Sequence, residues 1–201
     1  MRMVDPDPTL VEAELRAGRI KCPGCGSGLR PWGHARARSL RDHGRPVAMR
    51  PRRSICPPCA NSPGAQKTHV LLPKVALLRR ADTVHTIVEA LLARHLEKYP
   101  RRGVVARAGA PPDTVRGWQR RFRDRAEQIR VQFTELAHVW DPEQGAVAAR
   151  ASPELDALEA MGVAAQAAVL RFGPEPYWQL VAGASGGRLL SNTSSPLPRP
   201  P

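Results

Sequence analysis

Four cysteines carry the most specific chemistry in this chain. Cys22-Pro-Gly-Cys25 and Cys56-Pro-Pro-Cys59 form two CxxC turns with 30 residues between them. Such a turn sets two sulfurs on one side of an ion and lets backbone amides donate to the thiolates, and two turns complete the tetrahedron that zinc prefers. The spacing predicts a structural Zn2+ held by Cys22, Cys25, Cys56 and Cys59. A redox dithiol is the plainer competitor, but two matched turns in a chain without a secretory signal fit a metal better. His69 or His34 is the alternative fourth ligand. A catalytic zinc would keep an open position and a base beside it. Asp42 is the one carboxylate between residues 21 and 80, so no catalytic centre is expected.

Charge is the second signal. The chain carries 31 Lys and Arg against 18 Asp and Glu, a formal net charge of +13. The excess is uneven: residues 21–80 hold 13 basic groups and one acidic group. Charge of that size points to a polyanion, most often a nucleic acid. A membrane surface would need an apolar span or a large-faced amphipathic helix, and neither is present in the sequence. Arg30, Arg36, Arg38, Arg41, Arg45, Arg50, Arg52 and Arg53 surround the proposed metal site, and alternate residues of a strand share one face. Arg50, Arg52 and Arg53 are expected to face phosphate; a merely solvated face is the competing reading.

The third signal is helical. Residues 101–122 fit a helix-turn-helix. Val104, Val105 and Ala108 form the inner face of the first helix, Gly109 supplies a left-handed turn, and Val115, Trp118 and Phe122 form the inner stripe of the second. Pro112 suits the first helical position and Asp113 the first turn. The outer face then presents Arg116, Gln119, Arg120 and Arg123, side chains that can reach base edges and phosphates in duplex DNA. Gly103 inside the first helix and Pro111 at the cap position depart from the template. An ordinary helical hairpin with a solvated arginine face is the competitor.

These groups need elements to position them. Residues 29–32, 47–53 and 68–72 read as strands, the first two joined by a polar turn at Asp42, His43 and Gly44. A core-facing helix begins at Asp82 as N-cap and ends before Pro100, and Ala126, Ile129, Phe133 and Leu136 prolong the apolar periodicity beyond residue 122. Residues 152–172 read as an Ala-rich helix with Leu155, Leu158, Val163 and Val169 apolar, residues 176–184 as a shorter one; packing on the helical core is the favoured role for both, with a homodimer contact or the docking of a partner recombinase as the alternatives. The fold class expected is mostly α with a small β zinc ribbon, the ribbon followed by a helix-turn-helix bundle. Its divisions are an N-terminal segment (1–19), a zinc ribbon (20–80), a helix-turn-helix domain (81–140), C-terminal helices (141–190) and a disordered Pro/Ser-rich tail (191–201).

The stretches CPGCGSGLRPWG, LRDHGRPVAMRPRRSICPPC, THVLLP with LLRRADT, and TVRGWQRRF resemble actinobacterial zinc-ribbon plus helix-turn-helix proteins of unassigned function, related in layout to the N-terminal DNA-binding part of insertion-sequence transposases. The resemblance spans residues 22–125. It implies binding of double-stranded DNA, at mobile-element ends or at a regulatory site, with the four cysteines as zinc ligands. ANSPGAQ after Cys59 is a longer link than that pattern carries. A full transposase would add a domain with three separated carboxylates, for which residues 141–201 are too few. The expectation is a cytoplasmic, nucleoid-associated, sequence-specific DNA-binding protein, transposase-like or active in transcription regulation, without enzymatic activity or a small-molecule substrate. Two other classes compete: an RNA-binding zinc ribbon, and a zinc-stabilised protein-interaction adaptor.

Overall fold

The computed structural model describes residues 1–191 and Leu197. The tail expected to be disordered falls, but for Ser191 and Leu197, outside the described residues. Among the described residues six strands are formed: β1 (Arg2–Val4), β2 (Arg30–His34), β3 (Arg38–Asp42), β4 (Arg45–Met49), β5 (Arg52–Ile55) and β6 (Thr68–Pro73). Helices α1 (Pro8–Arg16), α2 (Pro57–Ala60), α3 (Val84–His95), α4 (Arg101–Ala108), α5 (Pro112–Asp124), α6 (Ala126–Trp140), α7 (Pro153–Phe172) and α8 (Tyr177–Ala184) complete the described chain. The architecture is mixed α/β rather than mostly α.

One sheet has the order β1-β6-β5-β2, and β3 and β4 form a separate hairpin. The sequence suggested one strand over residues 47–53. Two form instead, because Pro51 has no N–H to donate to a ladder, and its carbonyl accepts from Ala35 across the break. Residues 1–19, read as a segment apart, supply β1, which pairs in parallel with β6, and α1, whose Asp7 cap accepts from the Thr9 amide. Val11 and Leu15 of α1 join Leu29, Leu71 and three of the four cysteines in one small core. With so little apolar surface, that module has a weak hydrophobic drive of its own.

The helices share a larger core. Val104, Val115, Trp118, Phe122, Ile129, Phe133 and Met161 are buried in it. Thr83, not Asp82, caps α3 through its hydroxyl to the Thr86 amide. Asp82 is instead gripped by Arg41 through two hydrogen bonds of 2.8 and 2.9 Å. The apolar periodicity after residue 122 belongs to a separate helix, since α5 ends at Asp124 and α6 starts at Ala126. The inward stripe of α7 is Ala157, Leu158, Ala160, Met161, Ala164, Ala167 and Ala168, whereas Val169 is exposed. Small alanine faces allow α6 and α7 to approach closely over their length, a role the leucine and valine positions did not reveal.

The hairpin is fixed to the helices at its tip. The Asp42 carboxylate accepts from the hydroxyls of Thr83 (2.6 Å) and Thr86 (3.2 Å), and the His43 amide donates to Thr86 Oγ1 at 2.8 Å. Gly109, the C-cap of α4, has φ 58°. A Cβ there would lie 2.7 Å from the carbonyl carbon and oxygen of His43, so only glycine satisfies both the left-handed backbone and the close approach. Gly109→Ala is therefore expected to destabilise the chain by about 1–3 kcal/mol, read as a lower denaturant midpoint with unchanged slope. A midpoint within error of the parent would refute this packing.

Arg52 is also a tie within the fold. It donates to Glu12 at 2.9 and 3.3 Å and to the Gly33 carbonyl at 2.8 Å. The Arg52 hydrogen bond and its charge hold the Glu12 carboxyl below its ordinary 4.5. A depressed folded-state value means stability present above pH 4.5 and lost as pH falls through it. Glu12→Gln should lower stability by under about 1 kcal/mol at neutral pH. The difference from wild type should shrink as pH falls below 4.5 and vanish once pH has passed through the depressed folded-state value, where the carboxyl is protonated; a difference that persists in that fully protonated range would refute the charge origin.

Candidate functional site

The four cysteines converge. Cys22 follows Lys21 and opens a turn closed by hydrogen bonds from the Gly26 amide to the Cys22 carbonyl and from the Cys22 amide to the Ser27 carbonyl. Cys56 caps α2 and Cys59 sits within it. The sulfur separations are 3.9 Å for Cys22 to Cys59, 3.4 Å for Cys25 to Cys56 and 3.5 Å for Cys25 to Cys59. Thiolates about 2.3 Å from a tetrahedral ion stand about 3.8 Å apart, so the cluster is compatible with a metal centre. Cys22, Cys56 and Cys59 are buried and Cys25 is exposed.

The surroundings support thiolates there. The Gly24 amide donates to Cys22 Sγ at 3.4 Å. Hydrogen bonds from the hydroxyl and amide of Ser27 bring the Cys25 thiol down to about 6. Cys59, crowded by the sulfurs of Cys56 and Cys25, is pushed up to about 12. Adjacent thiols resist multiple ionisation, and a cation removes that resistance. His69 is buried and reaches Cys22 Sγ with Nε2 at 3.5 Å, so it stands behind a ligand rather than replacing one; His34 is exposed.

The basic residues divide into two groups. Arg30, Arg36, Arg38, Arg45 and Arg50 are exposed. Arg52 is held by Glu12, as described, and Arg53 donates to Thr68 Oγ1 at 3.2 Å with its Nε buried. Both therefore brace the sheet instead of presenting free guanidinium groups. Trp32 occupies the bulge between Pro31 and Gly33, where β2 slips against β5, and is 58% exposed. A bulge re-aims a side chain in this way. No sequence motif marks it, because the bulge arises from pairing with β5.

On α5, Arg116, Arg120 and Arg123 are exposed opposite the buried Val115, Trp118 and Phe122. Arg116 pairs with Asp113 at 2.6 Å and Arg123 with Asp124 at 3.6 Å, both at the surface. Pairs of this kind exchange readily for another anion. Gln119 departs from the expected outer face: it is half-buried, with Nε2 lacking a hydrogen-bond partner. It lies four residues after Val115 and three before Phe122, which puts it at the margin of the inner stripe. Among the described residues no helix is long and apolar enough to cross a membrane.

Metal removal gives the direct check on the cysteine cluster. Chelation should unfold the module built on Val11, Leu15, Leu29 and Leu71, and Cys56→Ser should mimic it, both read by loss of near-UV ellipticity and protease resistance. Affinity for added Zn2+ should fall as pH falls, because protons compete for the sulfurs. Unchanged protection after chelation would sink the assignment. Comparison of the chain with known family models, curated proteins and solved structures returned no match in any of the three.

Proposed function

We propose that this protein is a zinc-containing, sequence-specific DNA-binding protein, with Cys22, Cys25, Cys56 and Cys59 holding a structural Zn2+ and α4–α5 acting as a helix-turn-helix. The observation that carries the reading is α5 itself. Its inner seam of Val115, Trp118 and Phe122 is fully packed while Arg116, Arg120 and Arg123 project outward, and a three-residue turn with left-handed Gly109 joins it to α4. A helix held in this manner can enter a major groove with its guanidinium groups directed at guanine edges and phosphates. Zinc is the ion of choice because four sulfur donors leave no open position and suit a tetrahedral, redox-inert metal.

The exposed arginines of the cysteine module, together with Trp32, supply further phosphate and stacking contacts. Arg52 and Arg53 drop out of this set, as their side chains serve the sheet. A DNA-recognition role in a mobile element or a transcriptional role both follow from the same surface, in keeping with the resemblance carried by residues 22–125. An adaptor function is favoured by one other observation, the apolar end of α7, where Val169, Leu170 and Phe172 are exposed.

Selection from a random duplex pool should enrich one motif, and Arg120→Ala should cost about 1–3 kcal/mol on it. Arg50→Ala should instead weaken binding to all sequences and reduce the salt slope by about one. If no motif is enriched, or if structured RNA competes as well as the duplex, sequence-specific DNA binding is wrong.

A further inference from the structure

A second group of metal-binding side chains lies away from the cysteines, at the seam between the β3–β4 hairpin and α3. Asp42 and His43 come from the hairpin tip and His85 from the first turn of α3, and one ligand atom from each lies within 4.8 Å of the others. All three are half-buried, with side-chain exposures of 38, 28 and 28% respectively. Solvent therefore reaches them, and the backbone that carries them is pinned.

Hydrogen bonding around the two imidazoles decides where their lone pairs point. His43 Nδ1 lies 3.1 Å from the Arg107 carbonyl, an acceptor only, so in the neutral ring Nδ1 carries the proton and Nε2, which lies 3.6 Å from Glu89 Oε2, carries the lone pair. His85 Nε2 lies 2.9 Å from Glu89 Oε1. In the neutral ring the proton sits there, and Nδ1, 3.6 Å from Asp42 Oδ1, keeps its lone pair. Asp42 is itself oriented by the hydroxyls of Thr83 and Thr86. One ligand atom from each imidazole and one from the carboxylate thus lie within 4.8 Å of one another, and Glu89, the Arg107 carbonyl and the two threonine hydroxyls orient them, an arrangement that supports metal ligands. Trp178 packs on the His85 ring at 4.2 Å and restricts its rotation.

We propose that Asp42, His43 and His85 bind a divalent first-row transition ion, distinct from the one at the cysteines. Two imidazoles and one carboxylate suit Zn2+, Ni2+ or Co2+, with remaining positions open to water. Closing on an ion with bonds of about 2.1 Å requires side-chain shifts of about 1 Å, within the reach of half-exposed groups. Because the ligands come from both sides of the seam, the bound ion ties the hairpin to α3. This site is independent of whether the chain binds DNA.

The test uses the full chain, without an affinity tag and with its cysteine site loaded with Zn2+. Titration with Ni2+ followed by calorimetry, and metal analysis after dialysis, should show one further equivalent in the wild type. His85→Phe keeps the packing against Trp178 but removes the donor, and should weaken that equivalent at least about 100-fold. Glu89→Gln, which leaves all three ligands in place, should weaken it about 10- to 100-fold. Should His85→Phe fail to fold, Asp42→Asn takes its place, with the same loss expected. Co2+ in this site should give weak visible bands without the intense sulfur charge-transfer absorption of a thiolate site. A wild-type chain with no second equivalent, or one whose second equivalent survives His85→Phe or Asp42→Asn unchanged, overturns the proposal.

Discussion

The docking of a hairpin tip onto a helix start is the contact on which the described structure turns. Asp42 takes hydroxyl hydrogen bonds from Thr83 and Thr86, Arg41 clamps Asp82, and backbone bonds join Arg41 to Ala81 and Thr83. Each charged group here has a partner, so Asp82 is buried and Asp42 half-buried without an uncompensated desolvation cost. The cysteine module and the helical core have separate apolar interiors. A third, smaller cluster of Leu40, Met49, Leu72 and Ala76 lies between hairpin and sheet. The polar clamp and this small cluster carry what neither larger interior supplies, a defined orientation of one part on the other.

Local rules made much of the candidate site legible. The CxxC turns announced themselves because ligand spacing is a short-range property, and the four sulfurs do meet. The α4–α5 pair was legible for the same reason: Gly109, Pro112 and the Val115, Trp118, Phe122 stripe each encode a local preference that the fold keeps. Long-range pairings left no such trace. Parallel pairing of β1 with β6 joins residues nearly seventy positions apart, and three-residue strands carry no periodicity to detect.

Other departures have equally physical origins. Position around the metal site and alternation along a strand do not separate an exposed Arg50 from Arg52, whose role depends on Glu12 arriving from α1. Asp82 and Thr83 are both good caps, and the choice fell to Thr83 because Arg41 claims the aspartate. In α7 the leucine and valine positions suggest the apolar stripe, yet alanines supply most of the packed face beside Leu158 and Met161, since short side chains let the helix lie close along α6.

The near-touching backbones of Gly44 and Gly109 bear on how this chain can vary. Each lacks a side chain where the other approaches, with a Gly44 Cβ only 3.1 Å from the Gly109 carbonyl oxygen. Loops ordinarily drift in length because nothing opposes their tips. Here a residue inserted at either tip would collide with the other, so both connections are held at their present length, and the spacing between the arginines of the hairpin and those of α5 is fixed with them.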